Sequence, residues 1–176
     1  MAKTLNLILA AATLLTTGFQ SKRATEPLRW IEFSPKDSGF SIMVPAQPTQ
    51  RMFAHSTADE KATSPLYEVK QGDVKYVISY MTHHFSEAVN DRNHFLDMAA
   101  EAGITQAGGT LTSSRSIVLG GYPGREVEGR IQENIYRSRV YLVDQRVYLL
   151  IVLMPATATS SEAAAKFFKS FKIVYQ

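Results

Sequence analysis

The sequence contains no cysteine, and this absence excludes several kinds of site at once. A disulfide framework, a thiol nucleophile, a Cys-ligated zinc ion and a lipid-modified cysteine all require a thiol. A chain without thiols also suits an oxidising compartment, because it has no cysteine that could form a wrong disulfide.

Charge of one sign is also scarce, since 19 Lys and Arg stand against 16 Asp and Glu, a formal net charge of +3. Nucleic-acid-binding domains gather Lys and Arg much more strongly on one face, so we expect no nucleic-acid partner. A hydrophobic content of 45% with 20% charged residues indicates a globular chain. The length of 176 residues fits a single domain.

Catalytic signatures are missing as well. The chain has no G-x-S-x-G elbow, no H-E-x-x-H pair and no glycine-rich loop ending in G-K-[ST]. The sequence therefore predicts a protein that is not an enzyme and that needs no cofactor.

The first residues have the order of a secretory signal peptide. One positive charge at Lys3 precedes the apolar run Leu5–Leu15, and the small residues Thr16-Thr17-Gly18 follow it. The apolar run is shorter than the roughly 20 residues that span a bilayer. Phe19 occupies the place where a lipoprotein would have its cysteine.

These features predict a signal peptide at 1–18, a linker at 19–29 and one domain at 30–176. After cleavage we expect no transmembrane span, and the alternative is an N-terminal anchor that is not cleaved. We expect the protein to be exported, to the periplasm or to the extracellular space.

Short strands separated by turn residues dominate the rest of the chain. Arg51–Ser64 has only a weak pattern, and Val147–Leu153 has no polar alternation, which is typical of a central strand covered on both faces. The predicted strands are Trp30–Phe33, Phe40–Val44, Leu66–Lys70, Val74–Met81, Leu111–Leu119, Arg125–Asn134, Ile135–Val143, Val147–Leu153 and Lys172–Tyr175.

Two segments have helical periodicity. The first runs from Ser86 to Ala102, with Gly103 where a helix commonly stops. The second covers Ser160–Ser170, and Thr159 and Glu162 have capping-box spacing. Two helices that can cover the two faces of a mainly antiparallel sheet predict an α+β fold.

Four phrases support a resemblance by their order and spacing. They are Gly39-Phe40-Ser41-Ile42-Met43-Val44-Pro45 with Pro48, Gly121-Tyr122-Pro123-Gly124-Arg125-Glu126, Arg146-Val147-Tyr148-Leu149 and Lys166-Phe167-Phe168-Lys169-Ser170-Phe171-Lys172. Together they resemble the PsbP-like domain family, which includes small exported bacterial proteins. The resemblance covers residues 30–175 and implies an α-β-α sandwich around an antiparallel sheet. It also implies a non-catalytic module, and it transfers no site residues.

The histidine-rich segment is a candidate metal site. His84 lies just before the predicted helix, and Glu87, Asp91 and His94 share one face of it at spacing i, i+4, i+7. Imidazole and carboxylate groups are suitable ligands for a divalent metal. The competing interpretation is a solvated helix face, with acidic residues favoured near the helix N-terminus.

A second group of candidates lies on the C-terminal strands. Arg125, Arg137 and Arg139 could hold an anion or an acidic partner if they converge, and Tyr122 could be a contact residue at the tip of a turn. Glu126 and Glu128 alternate with these arginines, which favours ion pairing between strands instead.

The sequence as a whole favours an exported, non-catalytic interaction or assembly module that binds a protein partner in the cell envelope. The alternative is a small-ligand or metal-binding protein, with or without hydrolytic activity, that uses the segment His83–His94.

Overall fold

A computed structural model describes residues 29–56, 61–82, 92–158 and 161–175. The segment predicted as a signal peptide and nearly all of the predicted linker lie outside these ranges. The described chain forms, in order, β1 (Ile31–Phe33), β2 (Phe40–Val44), β3 (Thr49–Ser56), β4 (Lys61–Gln71), β5 (Val74–Thr82), α1 (Arg92–Gln106), β6 (Thr110–Leu119), β7 (Tyr122–Ile131), β8 (Asn134–Val143), β9 (Arg146–Pro155), α2 (Ser161–Ser170) and β10 (Lys172–Ile173).

Seven strands form one antiparallel sheet in the order β3-β4-β5-β9-β8-β7-β6. Five of its six strand pairs join consecutive strands, and only β5 and β9 pair across a long stretch of sequence. A small sheet, β1-β2-β10, lies beside α2 on one face of the large sheet. The predicted α+β fold and the predicted central position of the strand at 147–153 are confirmed.

The side of the large sheet that faces α2 is rich in rings, and we call it the aromatic layer. Its rings meet mainly edge to face or tilted, as aromatic quadrupoles prefer. Its buried residues are Phe40, Ile42, Val44, Tyr67, Val69, Val74, Tyr76, Ile78, Tyr141, Val143, Tyr148, Leu150, Val152, Met154, Ala164, Phe167, Phe168 and Phe171.

The opposite side faces α1 and is mainly aliphatic, so we call it the aliphatic layer. Glycine lets α1 come close to the sheet, because a Cβ added at Gly129 would lie 2.7 Å from Ile104 Cδ1. Its buried residues are Phe53, Leu66, Val77, Met81, Phe95, Leu96, Ala99, Ala100, Ile104, Val127, Ile131, Tyr136, Val140, Leu142, Val147, Leu149 and Ile151.

Strand β3 was not predicted. Thr49, Gln50 and Arg51 are exposed, and Phe53 is the buried residue of the part whose side chains the structure describes. An edge strand with one buried side chain gives little alternation in the sequence, which explains the weak pattern of Arg51–Ser64.

Helix α1 ends later than predicted. It continues through Gly103, which is buried, to Gln106, because Ile104 extends its apolar face. Gly108 follows the helix with a φ of +66°, which is typical of the residue just after a helix C-terminus, and Gly109 N donates to Ile104 O at 2.9 Å. Residues 86–91 of the predicted helix lie outside the described ranges, and so does the capping residue Thr159.

The turn between β6 and β7 is shorter than predicted. Only Gly120 and Gly121 form it, both with positive φ, as a two-residue hairpin requires. Tyr122 therefore begins β7 and does not lie at a turn tip. The same strand ends at Ile131, three residues before the predicted Asn134, because Gln132 turns the chain with φ +53°.

No helix within the described ranges is long and apolar enough to cross a membrane.

Candidate interaction surface

The predicted metal ligands are only partly described. His84, Glu87 and Asp91 lie outside the described ranges, and His94 is exposed near the start of α1. Within the part of the chain that the structure describes, no three His, Asp or Glu side chains form a group suited to a metal ion. The metal site stays a prediction.

Arg125 does not converge with the other candidate arginines. Strand alternation places it on the α1 side, because its neighbour Val127 belongs to the aliphatic layer. Its Nε lies 2.5 Å from Asp97 Oδ1, and only 11% of its side chain is exposed. Arg125 therefore ties α1 to β7.

Arg137 and Arg139 lie on the other face, with charged residues of β6 and β7 beside them. We call this group the arginine strip, and it consists of Arg115, Glu126, Glu128, Arg130, Arg137 and Arg139. Alternation along the three strands puts all six on the α2 side, next to the aromatic layer.

Ion pairs between strands hold the strip together, as the alternating charges predicted. Arg139 Nε lies 2.5 Å from one oxygen of Glu126, and Arg115 donates to the other oxygen, from Nε at 2.7 Å. Arg137 Nε lies 2.5 Å from Glu128 Oε2. Partial burial raises the pKa of Glu126, but the hydrogen bonds and charges of Arg115 and Arg139 outweigh it, and the net pKa is lowered.

The strip keeps an excess of positive charge despite this pairing. Its four arginines face two glutamates, which gives a formal charge of +2. Arg115 has 68% of its side chain exposed, and Arg130 is also exposed, so much of the excess is accessible to solvent.

Arg139 is the most firmly fixed of the four arginines. Its guanidinium carbon lies 5.0 Å from the centroid of the Phe168 ring, and Nη1 donates to Phe168 O at 3.5 Å. This arginine connects the strip to α2 and holds Glu126 in place for Arg115. The sequence pattern did not identify Arg115 as a site residue, because its position opposite Glu126 depends on the β6–β7 register.

Tyr122 lies on the same face as the strip, at the hairpin end of β7. Its hydroxyl is 3.1 Å from the hydroxyl of Tyr175, and this hydrogen bond raises the pKa of Tyr122 to about 12. The backbone beside Tyr175 is held by a hydrogen bond from Val174 N to Gly39 O at 3.0 Å. Tyr122 is half-buried against the aromatic layer and Tyr175 is exposed, so the pair lies at the surface at one end of the sheet.

The phrases that suggested a family meet in the aromatic layer. Phe40 contacts the rings of Tyr148 and Phe171, with centroids 6.0 and 5.7 Å apart. Tyr148 and Arg146 both donate to Ser38 O at 3.0 Å, and a Cβ at Gly39 would lie 2.8 Å from the Tyr148 hydroxyl. These phrases therefore specify packing between distant strands.

No family model and no curated protein matches the chain. Among solved structures, it is similar to cyanobacterial PsbP from Synechocystis sp. PCC 6803, with 8% identity and a TM-score of 0.60, over 88% of this chain and 98% of that one. It also matches LpqN, involved in cell envelope biogenesis of Mycobacterium tuberculosis, with 14% identity and a TM-score of 0.49 over 84% and 91% of the two chains. A third match is the Ran-binding protein Mog1p of Saccharomyces cerevisiae, with 12% identity and a TM-score of 0.45 over 84% and 96%.

The likeness to cyanobacterial PsbP supports a PsbP-like fold for this chain. At 8% identity it shows the fold alone. The TM-scores of the other two matches are too low to add to it.

Proposed function

We propose that this protein is a non-catalytic interaction module of the cell envelope, with the arginine strip as the surface that contacts a protein partner. The observation that carries the proposal is the net positive charge of the strip. Part of this charge is exposed to solvent, and the side chains that carry it extend from paired strands. Arginine is enriched at protein interfaces, where its planar guanidinium pairs with carboxylates through two hydrogen bonds.

Preorganisation supports this role. Glu126 holds Arg115 and Arg139 through separate oxygens, and Arg139 is held in turn by α2. Side chains that are already ordered lose less entropy when a partner binds. The strip can therefore present a positive surface at a lower cost than flexible lysines would.

The envelope location rests on the pattern of residues 1–18, which predicts export. The PsbP-like fold is compatible with a module that assembles with other proteins, and this is an analogy at the level of the fold.

The proposal can be tested by affinity capture from the native cell-envelope extract, with chemical crosslinking and mass spectrometry. Arg130→Glu combined with Arg137→Glu reverses two charges of the strip, that of the exposed Arg130 and that of the half-buried Arg137. We expect capture of the partner to fall roughly tenfold and to weaken with added salt. Lys70→Glu is the control, since Lys70 is exposed on β4, far from the strip. Equal capture by the charge-reversed and control variants would overturn the proposed surface.

The metal-binding alternative, with or without hydrolytic activity, is tested by thermal unfolding of the full chain with divalent metals and with EDTA. A ligand at 100 times its dissociation constant adds about 2.7 kcal/mol of stability. A metal-specific shift that disappears in His94→Ala would favour this alternative.

A further inference from the structure

Strand β6 forms one edge of the large sheet and is exposed on both faces. Eight of its ten residues are exposed, and the other two, Ile117 and Leu119, are half-buried. It pairs with β7 on one side, and no described strand pairs with its other side. The opposite edge strand, β3, differs because it buries Phe53.

The outer backbone groups of β6 follow from its hairpin. The two-residue turn at Gly120 and Gly121 makes Leu119 and Tyr122 a hydrogen-bonded pair. Alternation along an antiparallel strand then directs the N–H and C=O groups of Ser114, Ser116 and Val118 away from β7. These groups form a regular row that can accept another strand.

Strand β6 has few of the features that usually prevent an edge strand from pairing with another chain. Natural edge strands carry lysine, proline or bulges that prevent pairing with other chains. Strand β6 has no lysine and no proline, and its one charge, Arg115, is bound to Glu126 on the α2 side. A register shift between Leu111 and Ser113 affects only the first residues of the strand.

The positive charge of the arginine strip determines which kind of strand can pair with β6. A strand added beside β6 would place alternate side chains next to Arg115, at the border of the positively charged strip. Its other side chains would lie beside Ser114, Ser116 and Val118, of which Val118 is 72% exposed. A second copy of this chain would bring two positive strips together, so the charge favours an acidic partner.

We propose that β6 binds an extended segment of a partner protein by strand addition, and that acidic and apolar side chains alternate in this segment. The proposal rests on the proposed interaction function and names the partner's chemistry. Main-chain hydrogen bonds to Ser114, Ser116 and Val118 supply affinity, while Arg115 selects acidic side chains.

The test uses the full-length chain and a blocked peptide of alternating Glu and Val, with a Lys-Val peptide as the charge control. Amide hydrogen exchange is measured by NMR. With saturating Glu-Val peptide, we expect exchange at Ser114, Ser116 and Val118 to slow by at least about tenfold. Exchange in β3 should not change, and the Lys-Val peptide should have no effect.

Two perturbations test the backbone pairing itself. Ser116→Pro removes an outward N–H and no bond to β7, so it should abolish the protection, whereas Ser116→Ala should retain it. A Glu-Val peptide that is N-methylated at alternate residues gives the same test without altering the protein. When the methyl groups replace the N–H hydrogens that would face β6, the peptide should not protect β6 from exchange.

The proposal is overturned if the Glu-Val peptide leaves β6 exchange unchanged or if the Lys-Val peptide protects it equally. Protection that rises with protein concentration alone, and is lost in Ser116→Pro, would show that a second copy occupies the edge. If β6 is not protected but reversal of Arg130 and Arg137 still abolishes capture, the interaction function stands and strand addition is wrong. If β6 is protected but that reversal has no effect, the strip is not the main contact surface.

Discussion

Both faces of the large sheet are covered by buried side chains, but the two faces use different types of residue. Among the described residues, the aromatic layer buries eight Phe and Tyr side chains, and the aliphatic layer buries three. The aromatic layer also joins three separate pieces of chain, since Phe40 of β2 contacts Tyr80 and Tyr148 of the large sheet and Phe171, the residue just after α2. The aliphatic layer joins the sheet mainly to α1, through Leu, Ile, Val and Ala.

This difference shows that one face connects distant parts of the sequence and the other supports a single helix. Rings cover large areas and span gaps between elements that approach at different angles. Small residues such as Ala99, Ala100 and Gly129 let one helix lie close to the strands. Substitutions in the two layers should therefore differ in how much they lower the stability of the protein and in which contacts they disturb.

The largest effect is expected where a ring connects several elements. Phe40→Ala should lower the free energy of unfolding by about 3–5 kcal/mol, since Phe40 is fully buried among five other rings. Leu96→Ala, at an equally buried site in the aliphatic layer, should cost less, about 2–4 kcal/mol. Urea unfolding measures both, and an equal or larger loss for Leu96→Ala would contradict the proposed difference.

Glycine substitutions should disturb each layer in its own way. A Cβ at Gly124 would lie 2.6 Å from the ring of Tyr141, which stacks on Phe171 at 5.7 Å, whereas a Cβ at Gly129 would press on Ile104. Each change to Ala should cost about 1–3 kcal/mol. Near-UV circular dichroism should change in Gly124→Ala and stay close to wild type in Gly129→Ala. The same spectral change in both would show that the layers are not independent.

Buried hydroxyl groups give a smaller contrast. Tyr148 donates to Ser38 O at 3.0 Å, so Tyr148→Phe should cost about 1 kcal/mol. The hydroxyl of Tyr136 makes no hydrogen bond of good geometry among the described residues, and burial raises its pKa to about 12 even though the nearby Ser138 hydroxyl partly offsets the increase. Tyr136→Phe should therefore leave stability unchanged or raise it slightly. Urea midpoints compare the two, and a clear loss in Tyr136→Phe would indicate a bound water or another partner.

The smallest effect is expected at the arginine strip, outside both layers. The pKa of Glu126 is lowered in the folded protein, so its contribution is present above the ordinary value of 4.5 and is lost as the pH falls through the folded pKa. Glu126→Gln should make stability fall less steeply on acidification. Urea unfolding at several pH values measures the slope, and Glu133→Gln in the exposed β7–β8 turn is the control. An unchanged slope in Glu126→Gln would show that its ion pairs do not contribute.

Much of the fold could be predicted because its patterns are local. The hairpins, α2 and the central strand β9 follow from turn residues and from an unbroken apolar run. Strand β3 could not be predicted, since only one of its described side chains is buried. The end of α1 was placed too early, because a buried glycine inside a helix resembles a terminal one until its packing is known.

The candidate surface was less predictable than the fold. Alternation of Arg and Glu indicated ion pairs, but only the strand register separates Arg125 from Arg137 and Arg139 and brings Arg115 to Glu126. The metal site of the histidine segment stays a prediction, since three of its proposed ligands lie outside the described residues. A linear sequence contains the residue types of a surface, but the face on which each lies depends on pairing between strands.

The order of the strands also has a kinetic consequence. Strands β3–β5 and β6–β9 are two meanders of nearest-neighbour hairpins, and one long-range pairing, Lys75↔Leu153 to Thr82↔Arg146, joins them in the large sheet. Local hairpins form quickly, whereas a pairing across some seventy residues must first close a long loop. Docking of the meanders would then limit the folding rate, and a chain cut between Thr82 and Arg92 would leave two fragments able to reassemble along the β5–β9 pairing.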